Sequence, residues 1–394
     1  MRRRLKQFDG VRADHGRHCF DAVPALVQQS LAEPGDSRIV LVWIDAFGWR
    51  FAERHADHPW LQRVADTGTI EPWTSQFPST TTAAYVTLHS TLPVAQHGIY
   101  EWFVYEPALD RMICPLMFSF AGDHERGTLA AGGVSAASLF PGVTPLIAGL
   151  TQRGVECHAF QSAAYTPGVA TDLALGGASV HAFTDPVAGI AEVAGVLARP
   201  GPLFAFVYLD SVDSIGHVAG PDAPEFDAAI VALLDGLERL CRSHHDARLI
   251  VTADHGMTSI DPATTTYVNL EWPQITDHLK RGANGGVLAP GGSARDLFLH
   301  VEDASIATVV AGLERIVGDS ADVYLTDALL DDGVFGPEPS ARLRDRIGNV
   351  LVLPRAGQSV WWYEQGRYEQ RFRGHHGGAS AHEMLIPLIT VPVG

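Results

Sequence analysis

The 394-residue sequence is short of cysteine, of long apolar runs and of positive charge, and each shortage removes a class of protein. Cys19, Cys114, Cys157 and Cys241 are far apart and form no CxxC pair. That scatter argues against a disulfide framework or a zinc–thiolate site and fits reduced, mostly buried thiols. No stretch approaches the roughly 18 consecutive apolar residues of a transmembrane helix. The start, MRRRLKQFDG, is basic, but no apolar segment follows it, which argues against a signal peptide and makes the cytoplasm the expected location. Lysine and arginine number 28 against 45 acidic residues, a net charge of −17. A chain this acidic lacks the basic face that nucleic-acid polymers or anionic membranes require. An anionic substrate would have to be drawn in locally, by bound metals or a helix N-terminus.

What is present is a globular composition, 46% hydrophobic and 19% charged, with no repeats or low-complexity tracts. The length calls for a core with a sizeable insertion, or for two domains. RIVLVWID (38–45), LFAFVYLD (203–210) and RLIVTAD (248–254) are apolar runs, each ending in aspartate. Such runs suit strands buried on both faces of a parallel sheet. Between them, Phe226, Ile230, Leu233, Leu234, Leu237 and Leu240 recur at helical spacing. Strands alternating with helices predict a layered α/β fold with a largely parallel sheet, in which ligands bind beyond the carboxyl ends of the strands. A single terminal Asp is as well read as a helix cap or turn; three together favour convergence on one edge. Residues 1–37 read as an N-terminal arm, 38–262 with 346–394 as the core, and 263–345 as an inserted cap. WWYEQGRYEQRF (361–372) reads as a hairpin and LIPLITVPV (385–393) as a closing strand.

Candidate chemistry gathers in a few segments. Asp213 and His217 are four residues apart, which on a helix puts both on one face as a metal chelate; an ordinary surface pair has the same spacing. Gly216 between them allows another group close approach. In Asp254-His255-Gly256 the two side chains can reach one site only where a strand gives way to a loop. FPSTTT followed by AAYVTLHS reads as a loop entering a helix. A threonine at that junction would lie beside free N–H groups and the positive end of the helix dipole, which suits a phosphate. Ser79 or Thr80 could equally be a plain cap. A threonine hydroxyl becomes a useful nucleophile when a cation lowers its pKa.

These segments resemble the type I phosphodiesterase/nucleotide pyrophosphatase family of the alkaline phosphatase superfamily. FPSTTTAAYVTLHSTLPVAQHGIYEWFVYEP matches, without a gap, the family pattern around its nucleophile, through HGI to Tyr105-Glu106-Pro107. The other motifs follow in family order: WIDAFG, YLDSVDSIGHVAGP, VTADHGM and GHHGGASAHEM. The resemblance implies an alkaline-phosphatase-like three-layer sandwich with an inserted cap. It places the nucleophile at Thr81, which would form a threonyl-phosphate. It implies one metal held by Asp213, His217 and His376, and a second held by Asp45, Asp254 and His255, with Thr81 also reaching it. His376 is favoured over His375 because the family pattern has glycine after the ligand, and Asp210 matches a carboxylate that is not a ligand. Thr82, Trp102 and Tyr105 are the implied substrate contacts. Nitrogen and carboxylate donors without thiolate suit two zinc ions, with manganese also acceptable. The implied partner is a small-molecule phosphate ester or diester.

The sequence departs from the family at three points. Ala84 stands where many members have an asparagine that donates to the phosphate, Trp102 stands near another usual asparagine, and Ala46 replaces the glycine after Asp45. These changes leave the ligand set intact and put a nucleotide substrate in question. Tyr100, Trp102, Phe103 and Tyr105 could form an aromatic slot for a flat leaving group, or simply core; Arg50 and Arg373 are candidate phosphate-side cations. A phosphomonoesterase or phosphonate hydrolase of the same superfamily is the nearest rival. A non-catalytic metal-binding scaffold is the alternative of another class.

Overall fold

The structure is a computed structural model describing residues 7–32, 37–140, 144–243, 246–366 and 368–393. The three aspartate-ended runs form neighbouring strands: Ala247–Thr252, Arg38–Ile44 and Leu203–Leu209 lie side by side and parallel. Glu156–Ser162 and Ser179–Phe183 extend the parallel sheet beyond Leu203–Leu209. On the other edge Leu385–Val393 runs antiparallel to Ala247–Thr252, and Thr69–Thr74 pairs antiparallel with it to complete seven strands. All seven side chains of Leu203–Leu209 are buried, as a strand covered on both faces requires.

Helices supply those covers. Pro224–Cys241 buries Phe226, Ile230, Leu233, Leu234, Leu237 and Leu240, the stripe expected from its periodicity, and packs against Pro186–Leu197 and Pro59–Thr67. Thr81–Ser90 packs against Leu146–Gln152 and Val23–Ser30, with the Tyr85 ring 6.4 Å from Trp43 of the sheet. The described part of the N-terminal arm is built into this core, where Phe20, Val23 and Val27 are fully buried. The four cysteines are buried free thiols. Among the described residues no helix is long and apolar enough to cross a membrane.

A second, antiparallel sheet orders Gly291–Ser293, Asp296–Leu299, Val350–Pro354 and Ala321–Leu325, with the helix Ile306–Val317 packed on it. The expected boundary at 345 therefore falls between two strands, Ala321–Leu325 and Val350–Pro354, that are hydrogen-bonded neighbours. Val104, Ile113 and Phe118 from the earlier stretch share one core with Phe298, Tyr324 and Leu351. Of the expected hairpin, Val360–Trp361 pairs in parallel with Thr266–Tyr267, and an antiparallel bridge joins Glu364 to Tyr368.

A buried ion pair ties the second sheet to the main one. Arg295 is fully buried and donates through Nε and Nη2 to the two oxygens of Glu383, each at 2.8 Å. Glu383 also accepts from the backbone N–H of Gly378 at 3.0 Å and the hydroxyl of Ser380 at 2.5 Å. Every charge-bearing atom is thus partnered, the condition under which a buried pair is tolerated. Replacing Arg295 by Met should cost about 3–5 kcal/mol, because Glu383 would be left buried without its partner. Urea unfolding of the variant measures this, and a loss below about 1 kcal/mol would contradict the assignment.

Candidate active site

The three strand-end aspartates meet at one edge of the sheet. Asp45 follows Arg38–Ile44 directly, Asp210 follows Leu203–Leu209, and Asp254 lies two residues past Ala247–Thr252. Asp210 opens the helix Ser211–Ala219, which carries Asp213 and His217 on one face, with His217 Nε2 3.3 Å from Asp213 Oδ2. Gly216 on this helix faces Met257, whose sulfur would lie 2.5 Å from an added Cβ, so the close approach is real and Met257 is the group that makes it. His376 comes from the loop after the short strand Gly374–His375, and its Nε2 lies 3.6 Å from Asp213 Oδ1.

His255 occupies the centre. It is completely buried; its Nε2 lies 3.1 Å from Asp254 Oδ2 and 3.5 Å from Asp45 Oδ1, and its ring stacks on His376 at 3.6 Å between centroids. His255 can take part in two groups of converging donors, one with Asp45 and Asp254, the other with Asp213 and His376.

The histidines share one pattern of backbone support. His217 Nδ1 faces the carbonyl of Gly374 at 2.9 Å, His255 Nδ1 that of Gly256 at 2.9 Å, and His376 Nδ1 that of Ser79 at 3.1 Å. A ring nitrogen facing a carbonyl carries the proton, which leaves the Nε2 lone pair of each ring pointing into the cluster. The neighbouring His375 has its Nδ1 2.8 Å from the carbonyl and 2.9 Å from the N–H of His376, and burial pushes it down to about 3.

Charge in the cluster is one-sided. Burial pushes the Asp45 carboxyl well up, and the charges of Asp254 and Asp213 add to this. Burial holds the His376 imidazole well below its ordinary range, reinforced by His255 and His217. For His255, burial acts downward most strongly, but the charge and hydrogen bond of Asp254, the charge of Asp213 and the Gly256 carbonyl together carry the net direction up. Asp45 Oδ2 accepts from the Tyr208 hydroxyl at 2.5 Å and Asp254 Oδ1 from the Ala46 N–H at 3.3 Å. Asp213 Oδ1 and Asp254 Oδ2 are buried without a hydrogen-bond donor. Carboxylate oxygens left bare beside convergent imidazole lone pairs, with no thiolate, are a donor set that fits divalent cations.

Thr81 stands at this cluster. Its helix, Thr81–Ser90, is capped by Thr80, whose hydroxyl accepts from Ala83 N–H at 3.2 Å; Ser79 instead donates to Gly378 O at 2.7 Å. Thr81 is then the first helical residue, with Oγ1 3.1 Å from His255 Nε2 and 3.5 Å from both oxygens of Asp45. The position that could carry an asparagine donor, Ala84, is buried, and its N–H goes to Thr80 O.

A cavity of about 500 Å³ opens over these groups, lined by Thr81, Thr82, Trp102, Phe103, Tyr208 and Trp361 among others. Tyr105 is not brought to it. Alternation in the strand Val104–Glu106 turns Val104 and Glu106 inward, while the Tyr105 hydroxyl donates to Asp110 at 2.7 Å and its ring packs on His300. Tyr100 is core, its ring 4.9 Å from Phe298, so of the proposed aromatic slot Trp102 and Phe103 alone face the cavity. Arg50 donates to Met257 O at 2.9 Å and is not among the cavity-lining residues, nor is Arg373. The guanidinium that does line the cavity is Arg126, set over the Tyr165 ring at 4.9 Å, which no motif had marked. Asp210, expected not to be a ligand, accepts from the Tyr165 hydroxyl at 2.6 Å.

The chain is similar to known proteins in sequence and in fold. The profile of the family described as type I phosphodiesterase / nucleotide pyrophosphatase matches residues 39–379. Human ectonucleotide pyrophosphatase/phosphodiesterase 5 superposes with a TM-score of 0.65 at 17% identity, covering 90% of this chain and 87% of that one. The murine protein of the same name, in an inactive form in complex with AMP, gives 0.64 at 17% identity, with 89% and 87% covered.

Ala46 has φ of 63°, in the left-handed region that favours glycine. The strain of about 1–2 kcal/mol exceeds the chain entropy that glycine adds to the unfolded state. Ala46→Gly should therefore raise stability by roughly 0.5–1 kcal/mol in urea unfolding, and a loss of stability would contradict the reading.

Proposed function

The chain belongs to the type I phosphodiesterase/nucleotide pyrophosphatase family, and on that premise we propose that it cleaves small phosphodiesters or pyrophosphates through Thr81 beside two divalent cations. The observation that carries this is the convergence of Thr81 Oγ1 on His255 Nε2 at 3.1 Å and on Asp45 at 3.5 Å, at the N-terminus of a helix. Asp213, His217 and His376 would hold one ion and Asp45, Asp254 and His255 the other, zinc being favoured by the donor set and manganese acceptable. When bound, the ions lower the pKa of the threonine hydroxyl and neutralise charge developing on the phosphate.

The chain's own residues account for the rest of the mechanism. In the first turn of Thr81–Ser90, Ala83 N–H is taken by the Thr80 hydroxyl and Ala84 N–H by the Thr80 carbonyl. The N–H groups of Thr81 and Thr82 are left for a phosphate oxygen, with the helix dipole behind them, and supply what the absent asparagine would have donated. Thr81 Oγ1 attacks phosphorus in line; the bond to the leaving oxygen breaks, and a threonyl-phosphate results. Water then attacks that phosphorus and restores the hydroxyl.

A diester is favoured over a monoester by the charge around the cavity. Asp210, Glu101 and Glu369 join the cluster carboxylates in lining it, against the single guanidinium of Arg126 and no lysine among the described lining residues. A dianionic end group would meet more repulsion there than a monoanionic diester.

Thr81→Ala should lower turnover of a 4-nitrophenyl diester by roughly 10³–10⁶-fold while unfolding like the native protein, and near-native turnover would refute the nucleophile. Native protein should carry about two divalent ions per chain by metal analysis, falling in His255→Ala, whose ring faces both donor groups. A protein that takes up no ion after reconstitution would support the scaffold alternative.

A further inference from the structure

A second group of metal-binding side chains lies outside the catalytic cluster, in the N-terminal arm. His15, Cys19 and Asp21 each offer one donor atom, and the three atoms lie within 4.8 Å of one another. His15 Nδ1 is 2.6 Å from Asp21 Oδ2, and Asp21 Oδ1 accepts from the backbone N–H of Gly16 at 2.8 Å. Gly16 has φ of 73°, a left-handed turn that folds the chain back so that His15 meets Asp21. The short 3-10 turn Phe20–Ala22 begins at Cys19 and carries Asp21. His15 Nε2 is buried, with the adjoining Cε1 packed near Gly336, so Nδ1 is the ring nitrogen that faces the group. Cys19 is fully buried, while the side chains of Asp21 and His15 are 5% and 14% exposed. The thiol is the floor of the recess and the imidazole its rim, which gives a cation a way in.

The charge of this group is also uncompensated. Among the described residues no lysine or arginine pairs with Asp21. Burial pushes the Cys19 thiol well up, and the charge of Asp21 adds to this. A cation offsets both effects. Of the four buried thiols, Cys19 alone joins such a donor group among the described residues. The wide spacing of the cysteines excludes a site built from several thiolates, but one sulfur with one imidazole and one carboxylate is a different set.

We propose that His15 Nδ1, Cys19 Sγ and an Asp21 oxygen form a third divalent-cation site, separate from the catalytic cluster, that takes zinc. The sulfur selects zinc over magnesium or manganese, and three protein donors leave a fourth tetrahedral position for water. Binding releases the Cys19 proton to solvent and shifts the imidazole proton from Nδ1 to Nε2. Because burial opposes loss of the thiol proton, this ion is taken up after the catalytic pair. The arm is joined here to the edge strand Thr69–Thr74: Thr74 N–H donates to His18 O at 2.8 Å, and Cys19 bridges to Thr74. The ion therefore fixes the turn that seats the arm on the sheet.

The test is a titration of the metal-stripped full chain with cobalt(II). The catalytic cluster has no thiolate, so a near-ultraviolet sulfur-to-cobalt charge-transfer band reports the third site alone. The band should appear, be bleached by added zinc and persist in excess magnesium. Cys19→Ser and Cys19→Ala should each abolish it and lower zinc uptake at saturation from about three ions per chain to about two. Both should hydrolyse the 4-nitrophenyl diester like the native protein. In His15→Gln and Asp21→Asn the band should need at least roughly tenfold more cobalt. It should survive in His255→Ala, which disables the catalytic cluster. No band at saturating cobalt, a band that survives both Cys19 variants, or one lost in His255→Ala overturns the proposal. Bleaching by magnesium, or unchanged affinity in His15→Gln and Asp21→Asn, overturns the zinc site as drawn.

Discussion

Asp45, Asp213 and Asp254 are gathered within reach of one buried imidazole, and among the described residues no lysine or arginine pairs with any of them. Carboxylates cannot be crowded in this way out of water without a compensating charge. Two of their oxygens are bare of donors, and three imidazole lone pairs are turned toward them by backbone carbonyls at 2.9–3.1 Å. That constraint explains the protonation pattern of the histidines and the hydroxyl of Tyr208 on Asp45. It also explains why a hydroxyl at the first position of a helix should sit in the same place: Thr81 shares its surroundings with groups whose common requirement is a divalent cation.

Holding such a cluster requires rigid support from distant parts of the chain. The proposed ligands come from the ends of two central strands, one helix and a C-terminal loop. The loop is the element least determined by the sheet, and it is where the second sheet contributes: Arg295 and Glu383 form a fully buried pair that also fixes Gly378, two residues from His376. Gly256 makes the other junction, since an added Cβ would lie 2.2 Å from the carbonyl of His382. The two sheets therefore act together on one site, whatever boundary is drawn between them.

Much of this could be read from the residues. The three apolar runs ending in Asp45, Asp210 and Asp254 became adjacent parallel strands because doubly covered strands have a distinctive composition. Asp213 and His217 became a helical pair because the spacing of four has geometric meaning. The loop-to-helix junction at Thr81 followed from its capping residues. Contacts between residues far apart in the chain were not legible. Arg126 lies in no motif, nothing in YLDSVDSIGHVAGP marks the contact of its first residue, Tyr208, with Asp45, and the partnership of Arg295 with Glu383 spans 88 residues. Tyr105, implied as a substrate contact, does not line the cavity, because a strand's alternation depends on a register that proximity to the HGI motif does not reveal. The second sheet escaped notice as a unit because Val350–Pro354 pairs with Asp296–Leu299 and with Ala321–Leu325 across long connections.

The central claim is that Thr81 attacks phosphorus before water does. Two successive in-line displacements, first by Thr81 and then by water, restore the original configuration, whereas direct attack by water inverts it. The stereochemical course at a chiral phosphorothioate diester, hydrolysed in isotopically labelled water, measures this directly. The account predicts net retention; net inversion would contradict it.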